Sequence, residues 1–80
     1  MAHTVTLSPT QPRNNEEVSI TISGLDREKE PYVELSADGR LVGRLKVDPW
    51  GVVQWNTRLP AGKHRIKLAK PSVSKTFEVV

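Results

Sequence analysis

Few residues in this chain are of a type that could run a reaction. There is no cysteine, and the histidines are His3 and His64. Nucleophilic catalysis needs a nucleophile beside a base, so it has little to start from. His3 lies near the N-terminus, and His64 follows Pro60-Ala61-Gly62, where a place at a turn corner explains it. Asp38 precedes Gly39 and Asp48 precedes Pro49, positions at which a carboxylate caps local backbone. Nothing brings two acids into one cleft, as paired-carboxylate hydrolysis requires. No His-x-His, cysteine pair or Asp-x-Asp loop offers metal ligands. Asp26, Glu28 and Glu30 alternate with Arg27 and Lys29, so local charge pairing is expected to balance them. No glycine-rich phosphate loop is present. The expectation is a chain with no catalytic residue, no metal and no cofactor, and therefore not an enzyme.

Two further features could bind without reacting. Lys63, Arg65 and Lys67 form a basic stripe on one face of an extended segment. Stacking of nucleic-acid bases would need aromatics interleaved with that stripe, and none are there. Cross-strand ion pairs with Glu34 and Glu78 explain it better, and no nucleic-acid partner is expected. The second feature is Trp50, in the turn Asp48-Pro49-Trp50-Gly51. An aromatic this large is hard to bury in a tight turn of a small domain. It is either an exposed contact residue, of a type enriched at binding hot spots, or a lid folded over one end of the fold.

These residues need a scaffold, and composition limits what it can be. At 80 residues the chain reads as one domain, residues 1–80. A domain of this size buries about 60–65% of the surface its unfolded chain exposes. Without cysteine, packing alone must hold it, in a reducing or an oxidising compartment alike. No apolar run approaches the roughly 18 residues of a membrane span, so no membrane insertion is expected. Twelve Lys and Arg against nine Asp and Glu give +3 and a pI near 9.6. The signs are mixed along the chain, which fits ordinary solubility. Met1 to Leu7 alternates polar and apolar residues and lacks a signal-peptide core. The chain is accordingly expected to act where it is made, or to leave the cell as part of something larger.

Extended segments account for the whole chain. Val5 and Leu7 alternate with Thr4 and Thr6 before Pro9 to Asn15 breaks the run. Val18, Ile20 and Ile22 alternate with Glu17, Ser19, Thr21 and Ser23, the strongest strand signal present. Gly24 ends it, Asp26 to Pro31 is a loop, and Tyr32 to Ser36 resumes the alternation. Asp38-Gly39 is a hairpin signal, since primed turns need positive φ. Leu41, Leu45 and Val47 then share one face, with Arg44 and Lys46 on the other. After the Asp48–Gly51 turn, Val53 and Trp55 point inward. After Pro60-Ala61-Gly62, His64, Ile66 and Leu68 do the same. Pro71 closes that strand, and Phe77 and Val79 complete the last. Seven short strands with no helical period predict an all-β sandwich. The expected core is Val5, Leu7, Val18, Ile20, Ile22, Leu25, Val33, Leu35, Leu41, Leu45, Val47, Val53, Trp55, Ile66, Leu68, Phe77 and Val79. Trp55 is expected to contribute most.

The order of these motifs resembles the immunoglobulin-like sandwiches of bacterial and phage surface proteins. Val18-Ser19-Ile20-Thr21-Ile22-Ser23-Gly24-Leu25 resembles their second strand with its Gly-Leu end. Asp48-Pro49-Trp50-Gly51-Val52-Val53 resembles their entry to the fifth strand. Leu59-Pro60-Ala61-Gly62-Lys63-His64-Arg65-Ile66 resembles a corner that a Tyr hydroxyl usually ties. His64 stands in the Tyr position, so an imidazole N–H makes the tie or the tie is absent. The cysteine pair and strand-C tryptophan of antibody domains are both missing.

The resemblance implies an immunoglobulin-like fold and a binding role. Solitary domains of this kind resemble accessory proteins that decorate phage capsids and tails. Assembly in the host cytoplasm would suit a chain without signal peptide or cysteine, although a piece cut from a larger protein would look the same. The expected partner is a major capsid or tail protein, with host-surface glycans as a second class. The expected place is the virion surface. The alternative is an adhesion or carbohydrate-binding module of a bacterial cell-surface protein. The partner-binding residues are expected to be Trp50, Pro49, Arg27, Lys29, Lys70 and Lys75. They lie around the sandwich end formed by the Asp48–Gly51 turn, the Asp26–Pro31 loop and the Ala69–Lys75 loop. The opposite end, with Pro9 to Glu16, Asp38-Gly39 and Leu59 to Gly62 and with Arg13 and Arg58 as polar anchors, is the other candidate.

Overall fold

Two-residue alternation puts one face of each segment in the core and the other in water, and stacked sheets satisfy all the segments together. The computed structural model describes residues 3–69 and 72–80. It contains seven strands: β1 (Thr4–Ser8), β2 (Glu17–Ser23), β3 (Tyr32–Ala37), β4 (Arg40–Lys46), β5 (Val53–Arg58), β6 (Gly62–Leu68) and β7 (Val73–Val79). One sheet has the order β1-β2-β5 and the other β4-β3-β6-β7. Every pairing is antiparallel. This is the all-β sandwich of seven strands expected from the sequence. The closure at Pro71, like the site residue Lys70, falls outside the described residues.

The core is built from both inner faces. Val18, Ile20 and Ile22 of β2 meet Val33 and Leu35 of β3 and Ile66 and Leu68 of β6, all almost fully buried. Leu35 lies opposite Leu68 at the centre of the larger sheet. Thirteen of the expected core residues are buried, and Val5, Leu45 and Trp55 pack against them half-buried. Pro12, outside the expected core, is fully buried.

Two expectations about the core need correction. Leu41 is 63% exposed. A bulge shifts the β3–β4 register so that Leu35 faces Gly43 while Ser36 faces Leu41, leaving Val42 as the extra residue. One inserted residue reverses the facing of everything beyond it, so Leu41 lands on the outer face. Trp55 is only half-buried. It shares the inward phase of Ile20, but β5 is an edge strand, and one flank of the ring meets solvent.

The turns follow their residue chemistry. Asp38 and Gly39 have φ of 52° and 82°, the paired positive values of a type I′ hairpin. In the Asp48–Gly51 turn, Asp48 Oδ1 accepts the Trp50 and Val52 N–H groups at 2.9 Å each. Gly51 has φ of 76° and lies against the Leu25 backbone, whose N–H donates to the Gly51 carbonyl at 3.0 Å. The loops that follow β2 and β4 are thereby clamped together.

Candidate functional site

The end of the sandwich holding that clamp carries the most exposed large apolar side chain among the described residues. Trp50 is 82% exposed, so it is not a lid. Its backbone is nonetheless held from every side. The Asp48 carboxylate fixes the turn from within, the Gly51 N–H donates to the Asp48 carbonyl at 3.0 Å, and the Leu25–Gly51 bond ties the turn to the neighbouring loop. That neighbour is ordered in turn by Asp26. Its Oδ1 accepts the Glu28 N–H at 3.0 Å and its carbonyl accepts the Glu30 N–H at 2.7 Å. The charge pairing expected in this loop is replaced by backbone capping. Trp50, Pro49 and Gly51 line an open groove with Leu25, Asp26, Arg27 and Glu28. The result is a free indole on a fixed platform rimmed by both signs of charge.

The structure gathers some of the expected site residues and separates others. Trp50, Pro49 and Arg27 share the groove. Lys29 is exposed in the same loop, outside the groove lining. Lys75 sits on β7 opposite Ile66, in the inward phase. It lines a different depression with Val5, Thr6, Leu7 and Thr10. An inward-phase lysine at a sheet edge discourages edge-to-edge pairing. Leu25 and Glu28 were not among the expected site residues. The Gly-Leu step after β2 pointed to the first, while the second is placed by the Asp26 turn.

The opposite end spends much of its polar backbone, and the Arg58 and Asn14 side chains, on itself. Arg58 donates to the Asn15 carbonyl at 2.9 Å and lies 3.8 Å from Glu17. The Arg13 N–H donates to Glu16 at 3.0 Å. Asn14 accepts the Ala61 N–H through Oδ1 at 2.8 Å and donates its own N–H to the Val80 carbonyl. Groups already paired within the fold have little left for a partner, so the Trp50 end is the better candidate.

His64 makes the corner tie that its position implied. Nδ1 donates to Asp38 Oδ2 at 2.6 Å, and Nε2 donates to the Pro60 carbonyl at 2.8 Å. Both partners are acceptors, so the two bonds form together when the ring carries both protons, which favours the imidazolium. Neither nitrogen is free to act on a substrate. Asp38 was expected to cap its own turn. Its Oδ1 instead accepts the Arg65 N–H at 2.9 Å, joining the β3–β4 turn to β6.

These bonds shift both pKa values. The Asp38 bond, then the Pro60 bond, raises His64 above 6.5. The His64 bond, then the Arg65 N–H, lowers Asp38 below 3.8. A raised histidine stabilises fully below its unfolded pKa and loses that contribution as pH rises through the folded value. A lowered carboxylate does the reverse on the acid side. The pair should therefore contribute most between the ordinary values of 3.8 and 6.5. With Asp38 45% exposed, solvent screening limits the contribution to about 1 kcal/mol or less. Urea midpoints should fall as pH rises above that range in the wild type, and Asp38→Asn should flatten the dependence.

Comparison with protein-family models, with curated proteins and with solved structures finds no match to this chain. Its function must be argued from its own residues. Among those described, no three His, Cys, Asp or Glu side chains gather as a metal site. The exposed aromatics Trp50 and Tyr32 line separate depressions and make no joint platform for a sugar ring.

Proposed function

We propose that this domain is a non-enzymatic docking module that attaches to a protein partner through the Trp50 end of the sandwich. The observation that carries the reading is an indole 82% exposed on a turn locked by Asp48 and Gly51. Exposing so large an apolar surface costs solubility, and a rigid backbone beneath it removes the entropy penalty of ordering a loop on binding. Arg27 and Glu28 at the rim supply orientation, and Trp50 supplies contact area. The fold is taken to be immunoglobulin-like, and the resemblance to phage decoration domains favours a virion accessory role, with a capsid or tail protein as partner. In that role the module would sit on the particle surface and stabilise it or aid weak adhesion. The separation of Trp50 from Tyr32 disfavours the carbohydrate-binding form of the cell-surface alternative.

Mass spectrometry of purified virions and of cell envelopes from the source of the chain tests this directly. The chain should be found in the particles. Recovery only in the envelope fraction would instead support the alternative. Trp50→Ala should leave the folded domain within about 0.5 kcal/mol of wild type in urea denaturation, as surface changes do. A large loss of stability would place the indole in a structural role.

A further inference from the structure

Folding concentrates a charge that looks scattered in the sequence. On the outer face of the β4-β3-β6-β7 sheet, register aligns Lys46 with Tyr32, Arg44 with Glu34, and Leu41 with Ser36 and Lys67. Arg65 and Lys63 continue β6 in the same phase, opposite Thr76 and Glu78. All five cations and both carboxylates are exposed. The face thus carries five cations against two carboxylates, a local excess of three positive charges. The expected cross-strand ion pairs do not close. Those formed among the described residues are Arg58–Glu17 and His64–Asp38, neither on this face. Amid the charges stand Leu41, 63% exposed, and Tyr32, 51% exposed, with the Arg44 guanidinium 5.9 Å from the Tyr32 ring centre.

We propose that this sheet face, centred on Tyr32, Leu41, Arg44 and Lys67, is a second binding surface that takes an acidic protein segment carrying apolar side chains. Unpaired cations want carboxylates, and the excess of one sign steers such a partner in. Leu41 and Tyr32 are the apolar contacts within the charged field, and tyrosine with arginine is interface chemistry. A nucleic acid fits less well, because Tyr32 is the one aromatic exposed on this face and an aliphatic Leu41 stacks no base. A second copy docked face to face would oppose like charges.

The test titrates isotope-labelled wild-type domain with a short peptide alternating glutamate and leucine, with its lysine counterpart, and with an oligothymidylate. Amide shifts at Tyr32, Leu41, Arg44 and Lys67 with the glutamate peptide alone support the proposal. The double variant Arg44→Glu/Lys67→Glu should then bind about ten-fold more weakly or worse, with its spectrum otherwise that of a folded domain. Trp50→Ala should bind unchanged, which separates this surface from the sandwich end. No binding, shifts confined to the Trp50 turn, equal binding of the lysine peptide, or tighter binding of the oligothymidylate would each overturn it.

Discussion

Gly51→Ala is expected to destabilise the domain by about 3 kcal/mol or more, enough to leave much of it unfolded at room temperature. Two independent costs meet at this residue. Its φ of 76° is left-handed, which burdens any L side chain by about 1–2 kcal/mol. An added Cβ would also run into the Leu25 carbonyl oxygen. That atom belongs to the backbone and cannot swing aside as a flexible side chain would. Moving it stretches the 3.0 Å bond from the Leu25 N–H to the Gly51 carbonyl, parting the loops that hold Trp50. Small single-core domains rarely hold more than about 3–5 kcal/mol in reserve. Urea denaturation measures the loss. A midpoint equal to wild type would mean that the two loops are not clamped as described.

Leu35→Ala is expected to cost about 3–5 kcal/mol. Leu35 is fully buried, and its neighbours in the sheet are Gly43 and Leu68. Gly43 has no side chain to move into the space. The cavity would stay open, so the cost sits in the upper part of the large-to-small range. Trp55→Ala removes many more atoms yet should cost less, about 1–3 kcal/mol, because its ring is half in water at the edge of β5. The order of the two effects is the informative readout. Trp55→Ala proving the worse variant would place the centre of the core at β5 instead of the β3–β6 pair.

Strands and turns were legible because their signals are local. Alternation in Glu17 to Ser23, glycine after Asp38, and the Asp48–Gly51 turn each depend on neighbours within a few residues. Leu41 was misplaced because the bulge at Val42 arises from pairing with β3 and leaves no mark in the alternation of β4 itself. Trp55 was overrated because a sequence shows which way a side chain points, not whether its strand lies at an edge. Long-range ties were the least visible. Asp38 in an Asp-Gly step reads as a local cap, and only the fold brings β6 to it, so the His64–Asp38 bond could not be foreseen. The charge pattern misled for the same reason: a mixture along the chain became a sorted face once β4, β3 and β6 lay side by side.

The exposure of Trp50 left two readings open in the sequence, and the reading of function now rests on it. The most direct measurement is the occupancy of purified virions by wild-type chain and by Trp50→Ala, added at equal, sub-saturating concentration and quantified by mass spectrometry. An anchor of this kind contributes about 1–3 kcal/mol, so occupancy of the variant should fall about five-fold or more. Equal occupancy of the two chains would contradict docking through this end of the sandwich.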